Sequence, residues 1–118
     1  MIRRGDIWWA RTEHGPRSDD AARPVLIVSN DAFNRSQIPT IVALAISSDL
    51  RLADAPGNIP LRTGESRLPT DSVINVAGMA TLAKTDLDEW LSRVGADVLR
   101  RVEAGLRLSL DLDLGPDR

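Results

Sequence analysis

The residues of this 118-residue chain that can do chemistry are arginines, hydroxyls and carboxylates. There is no cysteine and one histidine, His14. Disulfides, thiolate nucleophiles and cysteine-ligated metals are therefore excluded, and a serine–histidine triad is poorly supported. Neither a Walker motif nor a Gly-x-Gly-x-x-Gly loop is present. What remains suits an anionic, phosphate-bearing ligand. Guanidinium groups grip phosphate oxygens bidentately and keep their charge at any physiological pH, and hydroxyls donate to the oxygens left over. His14 lies in a polar stretch, where a lone histidine reads first as a solvated side chain. No cofactor and no metal are expected.

One segment places such a group on a rigid element. Arg23-Pro24-Val25-Leu26-Ile27-Val28-Ser29-Asn30-Asp31-Ala32-Phe33-Asn34 begins with a cation and a proline. It runs through four apolar residues and breaks at Ser-Asn-Asp, as a buried strand with a charge at its mouth and a turn at its exit would. Of 15 basic residues only Lys84 is a lysine, and the arginines crowd the first third of the chain. Acids weight the last third, and net charge is −2. Two readings follow: a site-sized basic surface on an acidic protein, or evenly solvated charges.

The elements that must carry these groups are read from periodicity. Asp6 to Arg11 is a strand whose alternation puts Ile7 and Trp9 on one face and Trp8 on the other. Either one tryptophan lines a groove or interface, or the sheet is packed on both faces. Thr12 to Ala22 is a long polar loop. Arg23 to Ser29 is the second strand, and Asn30 to Ser36 a turn or short helical segment capped by Asn30 or Asp31. Thr40 to Ile46 is a third core strand leaving at Ser47-Ser48-Asp49. Leu50 to Ala55 reads as irregular or a short edge strand, Asn58 to Leu61 as a short strand, and Arg62 to Thr70 as a polar connection. Asp71 to Val76 is a fifth strand, with Gly78 marking a bulge or close backbone approach before Met79 to Ala83 continues it. The tail reads as helical. Thr85 to Asp88 fits a capping box with Leu87, Trp90 and Leu91 on one face, and after Gly95 a second helix spans Ala96 to Leu110. Residues 111–118 read as a frayed end.

Strands followed by helices, with no βαβ alternation, predict a mainly β chain with a C-terminal helix, an antiparallel sheet or small barrel. One domain over residues 1–118 is expected. The opening Met-Ile-Arg-Arg-Gly-Asp has no signal-peptide core, and no apolar run approaches a membrane span, so a cytoplasmic protein that makes no membrane contact is expected.

Taken together, Arg4-Gly5-Asp6-Ile7-Trp8, the Arg23–Asn34 segment, the core strand ending at Ser47, Ser72-Val73-Ile74-Asn75-Val76 and Leu106-Arg107-Leu108-Ser109-Leu110 resemble the MazF/PemK toxin family, in order across residues 4 to 110. The resemblance implies an SH3-like antiparallel barrel of the MazF/CcdB/PemK type. It implies a homodimeric, metal-independent, sequence-specific endoribonuclease, the toxin of a toxin–antitoxin module. Such an enzyme cuts single-stranded RNA (mRNA, tRNA or rRNA) by attack of the adjacent 2′-OH and so stops translation and growth. It further implies a MazE-like antitoxin partner, with DNA contacted only through that antitoxin. By the same resemblance Arg23 and Ser47 are the catalytic pair. Arg17, Asp20, Ser48, Asn75, Gly78 and Thr81 are the expected RNA contacts.

Two departures stand out. The Gly-x-Glu-Gln-like loop of many members is Arg17-Ser18-Asp19-Asp20-Ala21-Ala22 here, and an acidic-or-serine plus glutamine pair is replaced by Ala77-Gly78. Ser47 carries two readings, a catalytic hydroxyl and a turn hydroxyl bonding its own backbone. Other functions compatible with the barrel are a CcdB-like gyrase poison and a catalytically weakened binding module.

Overall fold

The computed structural model describes residues 1–11 and 22–112. Six strands form one sheet: β1 (Asp6–Arg11), β2 (Ala22–Ile27), β3 (Thr40–Ser47), β4 (Ile59–Leu61), β5 (Ser72–Ala83) and β6 (Leu87–Arg93). Every pairing is antiparallel, in the order β4-β5-β3-β2-β1-β6. The helices are α1 (Asp31–Arg35), α2 (Thr63–Ser66) and α3 (Ala96–Leu110). Leu50–Asp54 and Lys84–Asp86 are 3-10 turns.

Alternation along the strands makes two apolar faces. The inner face carries Ile7, Leu26, Leu44, Ile46, Ile59, Leu61, Ile74 and Val76, and α3 lays Val98, Leu99, Val102 and Leu106 over it. Burying one such side chain stabilises the fold by about 1.5–3 kcal/mol, so this face is the principal core. The outer face is smaller: Ala10, Val25, Ile27, Ile41 and Ala43, joined by half-buried Trp8 and Leu82. The two tryptophans thus separate as alternation requires. Trp9 packs with the inner cluster and Trp8 with the outer one.

The sheet curls toward closure, but its edge strands do not pair. They meet through α2 instead: the buried Ser92 hydroxyl on β6 donates to the Ser66 carbonyl at the end of α2. This half-barrel with a C-terminal helix agrees with the predicted architecture.

The segment 87–93 differs from its expected helix: it is the edge strand β6. Two bulges explain the misleading pattern. Ile7 pairs with Ser92 and Trp8 with Trp90, leaving Leu91 extra; Trp9 pairs with Glu89 and Ala10 with Leu87, leaving Asp88 extra. Each extra residue breaks the period of two, so Leu87, Trp90 and Leu91 mimic a helical stripe. Two smaller differences are the 3-10 turn at Leu50–Asp54, where an irregular stretch or edge strand was expected, and α2 inside the polar connection. The C-terminal helix has its predicted bounds.

Close backbone contact fixes how α3 sits. A Cβ on Gly105 would collide with the carbonyl oxygen of Gly57, and Gly57 turns with φ of 86°. Only hydrogen side chains permit this approach. Polar ties secure the other end of the core. The Arg4 amide donates to Asp31 Oδ1 (2.7 Å), its Nε donates to the Val28 carbonyl (3.1 Å), and Nη1 pairs with Glu103 on α3 (3.0 Å). Buried Asp6 accepts from the Arg3 amide and the Trp8 indole, and pairs with Arg93.

Gly105→Ala is expected to cost about 1–3 kcal/mol, the range for forced overpacking, read as a lower urea midpoint at unchanged slope. The Asp31 carboxyl is held below its ordinary value of 3.8, chiefly by the Arg4 amide. A depressed carboxylate contributes stability above its unfolded value and loses it as pH falls through the folded one. Asp31→Asn should therefore cost about 1 kcal/mol near neutrality, and its deficit against the parent protein should shrink once pH drops below 3.8.

Candidate active site

Arg23 and Ser47 lie on neighbouring strands. The β2–β3 register pairs Ile27 with Ala43, Leu26 with Leu44 and Val25 with Ala45. Carried two positions further, it sets Arg23 opposite Ser47. The paired ladder stops at Val25, and the next residue, Pro24, has no N–H to donate. Alternation puts Arg23 on the face of Val25 and Ile27, and Ser47 on the face of Ala45 and Ala43, the same outer side.

Both residues line one cavity of about 390 Å³, with Trp9, Pro24, Ile46, Ser48, Leu68, Pro69, Thr70 and Ser72 around it. Arg23 is exposed, and among the described residues it makes no ion pair or side-chain hydrogen bond. Ser47 Oγ accepts the Asp49 amide at 3.0 Å. The two readings of this hydroxyl are therefore compatible: a lone pair is used in the turn, and the O–H remains free to donate. Asp49 also caps the following 3-10 turn, and Arg51 grips its carboxylate at 2.9 Å through Nε and Nη2, which lowers its pKa. The turn holding Ser47 is thus braced from both sides.

A second cavity of about 590 Å³ adjoins the first and shares Arg23, Pro24 and Ile46 with it. Its other residues include Arg11, Val25, Ala43, Ala45, Gly78, Ala80, Thr81 and Asp86. Of the expected RNA contacts, Ser48 falls in the first cavity, and Gly78 and Thr81 in the second. Asn75 lines neither: its Oδ1 accepts the Ala77 amide, so its side chain braces the chain beside the bulge. Arg17 and Asp20, like the loop residues 12–21, lie outside the described residues.

The bulge itself accounts for Ala77-Gly78. Leu44 pairs with Met79 and Ala45 with Asn75, so Val76, Ala77 and Gly78 face no partner. A Cβ on Gly78 would sit 2.9 Å from the Ala45 Cβ and 3.3 Å from Asn75 Nδ2. The Ala45 methyl and Asn75 leave no room for a side chain there, which rules out an amide at that position without movement.

Periodicity missed Thr70, Ser72 and Asp86. The first two sit where a polar connection enters β5, which carries no repeating pattern. Asp86 precedes β6, whose bulged pattern mimics the start of a helix.

Measured against known proteins, residues 3–110 match the model of the PemK-like, MazF-like toxin of type II toxin–antitoxin system. The chain belongs to this family. It is 42% identical over 115 residues to Endoribonuclease MazF2 of Mycobacterium bovis and to Endoribonuclease MazF6 of Mycobacterium tuberculosis, covering 95% of this chain and 99% of each relative. A solved mycobacterial endoribonuclease in complex with its cognate antitoxin superposes with a TM-score of 0.80 at 24% identity, over 98% of this chain and all of that one. That likeness confirms the half-barrel with its C-terminal helix.

The bulge packing is tested by a double-mutant cycle. Gly78→Ala should destabilise the protein by about 1–3 kcal/mol, and Ala45→Gly in the same chain should recover much of that loss. Additive costs in chemical denaturation would show that the two positions do not press on one another.

Proposed function

We propose that this protein is a MazF-type endoribonuclease toxin that cuts single-stranded RNA at the Arg23–Ser47 cavity. The observation that carries the reading is the pairing of an exposed guanidinium, unpartnered among the described residues, with a hydroxyl whose proton remains free, both on one wall of one cavity. In the reaction, the 2′-oxygen beside the scissile phosphate bonds to phosphorus while the bond to the 5′-oxygen breaks. A cyclic phosphate and a 5′-hydroxyl result. Negative charge grows on the non-bridging oxygens as phosphorus becomes five-coordinate. Arg23 stabilises that charge, and Ser47 donates to one of the oxygens. Arginine keeps its proton at physiological pH, so its role is electrostatic and hydrogen-bonding rather than that of a general base. Positioning contributes the rest, since the nucleophile is already attached to the substrate.

Ser48, Gly78 and Thr81 contact the RNA strand on either side of the cut, and Arg17 and Asp20 also contribute to RNA binding. The whole chain acts as one toxin domain, as a homodimer, in the cytoplasm where its RNA targets are. A MazE-like antitoxin restrains it, and DNA is met only through that antitoxin. No helix among the described residues is long and apolar enough to cross a membrane.

Purified protein should cut a single-stranded RNA pool at an undiminished rate in EDTA and leave 2′,3′-cyclic ends. Arg23→Ala should lower the single-turnover rate by roughly 10²–10³, and Ser47→Ala by roughly tenfold, the value of one hydrogen bond. Circular dichroism and melting should match the parent protein in both variants. Undiminished cutting by Arg23→Ala would remove it from the site.

A further inference from the structure

The larger cavity contains a carboxylate that the proposed chemistry does not use. Asp86 lines it, is half-buried, and makes no ion pair or side-chain hydrogen bond among the described residues. The neighbouring cation, Arg11, is already engaged by Asp88 at 3.0 Å. The turn carrying Asp86 is held firmly: the Lys84 amide donates to the Pro39 carbonyl, and Lys84 Nζ donates to the Phe33 and Ser36 carbonyls at 3.2 and 2.8 Å. An acceptor is therefore presented on a fixed frame at the wall of a groove.

Part of the groove's wall is apolar and short, beside the longer Ile46 and Leu82 and the hydroxyl of Thr81. Val25, Ala43, Ala45, Gly78 and Ala80 line it, and the bulge keeps Gly78 bare. A surface of small apolar side chains accepts the flat face of a nucleobase. Arg23 lines both this groove and the smaller cavity, so the groove adjoins the proposed cleavage point.

We propose that this groove is a base-reading subsite in which Asp86 accepts a hydrogen bond from the amino group of a nucleobase next to the scissile phosphate. Cytosine, adenine and guanine carry such an amine on their Watson–Crick edge. Uracil has no such amine, and its one donor on that edge, N3–H, lies between two carbonyl oxygens whose lone pairs repel a carboxylate, so it pairs less well. Charge complementarity supports this occupant: a carboxylate faces the amine, and Arg23 faces the backbone phosphate. The proposal rests on the ribonuclease reading above and assigns Asp86 to specificity, not to bond cleavage.

The test is cleavage of a random single-stranded RNA pool, with cut ends sequenced, by the parent protein, Asp86→Asn and Asp86→Ala. The parent should disfavour uracil by about tenfold or more at one position beside the cut. The bases retained there would show which amine is read. Asp86→Asn, whose amide both donates and accepts, should accommodate uracil and erase most of that bias. Preferences at other positions should hold. The proposal is overturned if the bias is absent from the parent, if it persists in both variants, or if all sites slow equally. A change of oligomeric state in gel filtration with base preference intact would overturn it too, assigning the groove to contact between copies. A parent that cuts no RNA would defeat the ribonuclease reading itself, whereas a parent that cuts with Asp86 indifferent defeats this proposal alone.

Discussion

The register of β2 on β3 is the constraint on which the site depends. These strands lie in the interior of the six-stranded order, flanked by β1 and β5, so their pairing is held by ladders on both sides. Leu26 and Leu44 are completely buried opposite one another on the inner face. A slip of one residue would turn that apolar set outward and move the outer residues into the core. The energy that excludes the slip is core burial, and the same register carries Arg23 to the position across from Ser47. The placement of this pair is thus fixed by packing several residues away, on the opposite face of the sheet.

Beyond the register, irregularities shape the site. The ladder ends where Pro24 has no proton to give, and the strands are free to part there. Three unpaired residues in β5 bring Gly78 against Ala45, on the wall of the larger groove. Bulges commonly re-aim side chains beside functional sites, and this one removes a side chain from the groove wall. The buried polar groups are comparably well served: among the described residues, no buried side-chain nitrogen or oxygen lacks a partner. Arg23 is exposed and Asp86 half-buried, and neither has a partner among those residues.

Much of this was legible from residue order. The Arg-Pro strand, the Asn30 cap, the strand closing at Ser47 and the helix Ala96–Leu110 all follow from local patterns of two or 3.6 residues, and those patterns were long enough to decide. Gly78 was readable as a bulge because an isolated glycine inside a strand pattern has few other uses. β6 was not readable, since its two bulges convert strand alternation into apparent helical spacing. Its misassignment concealed Asp86, which belongs to the turn before a strand rather than to a helix start. The resemblance makes Asn75 an expected RNA contact, and only the fold shows that its Oδ1 accepts the Ala77 amide. Such roles depend on which backbone groups a fold leaves unpaired, and no period in the chain encodes that.

The central claim is that Arg23 and Ser47 act together on one phosphate. It is tested most directly by a double-mutant cycle on the single-turnover cleavage rate of an RNA carrying one cut site. If both side chains stabilise the same five-coordinate phosphorus, the effects should be strongly coupled, and the double alanine variant should be little slower than Arg23→Ala alone. Full multiplication of the two single effects, with the fold intact by circular dichroism, would contradict the shared site.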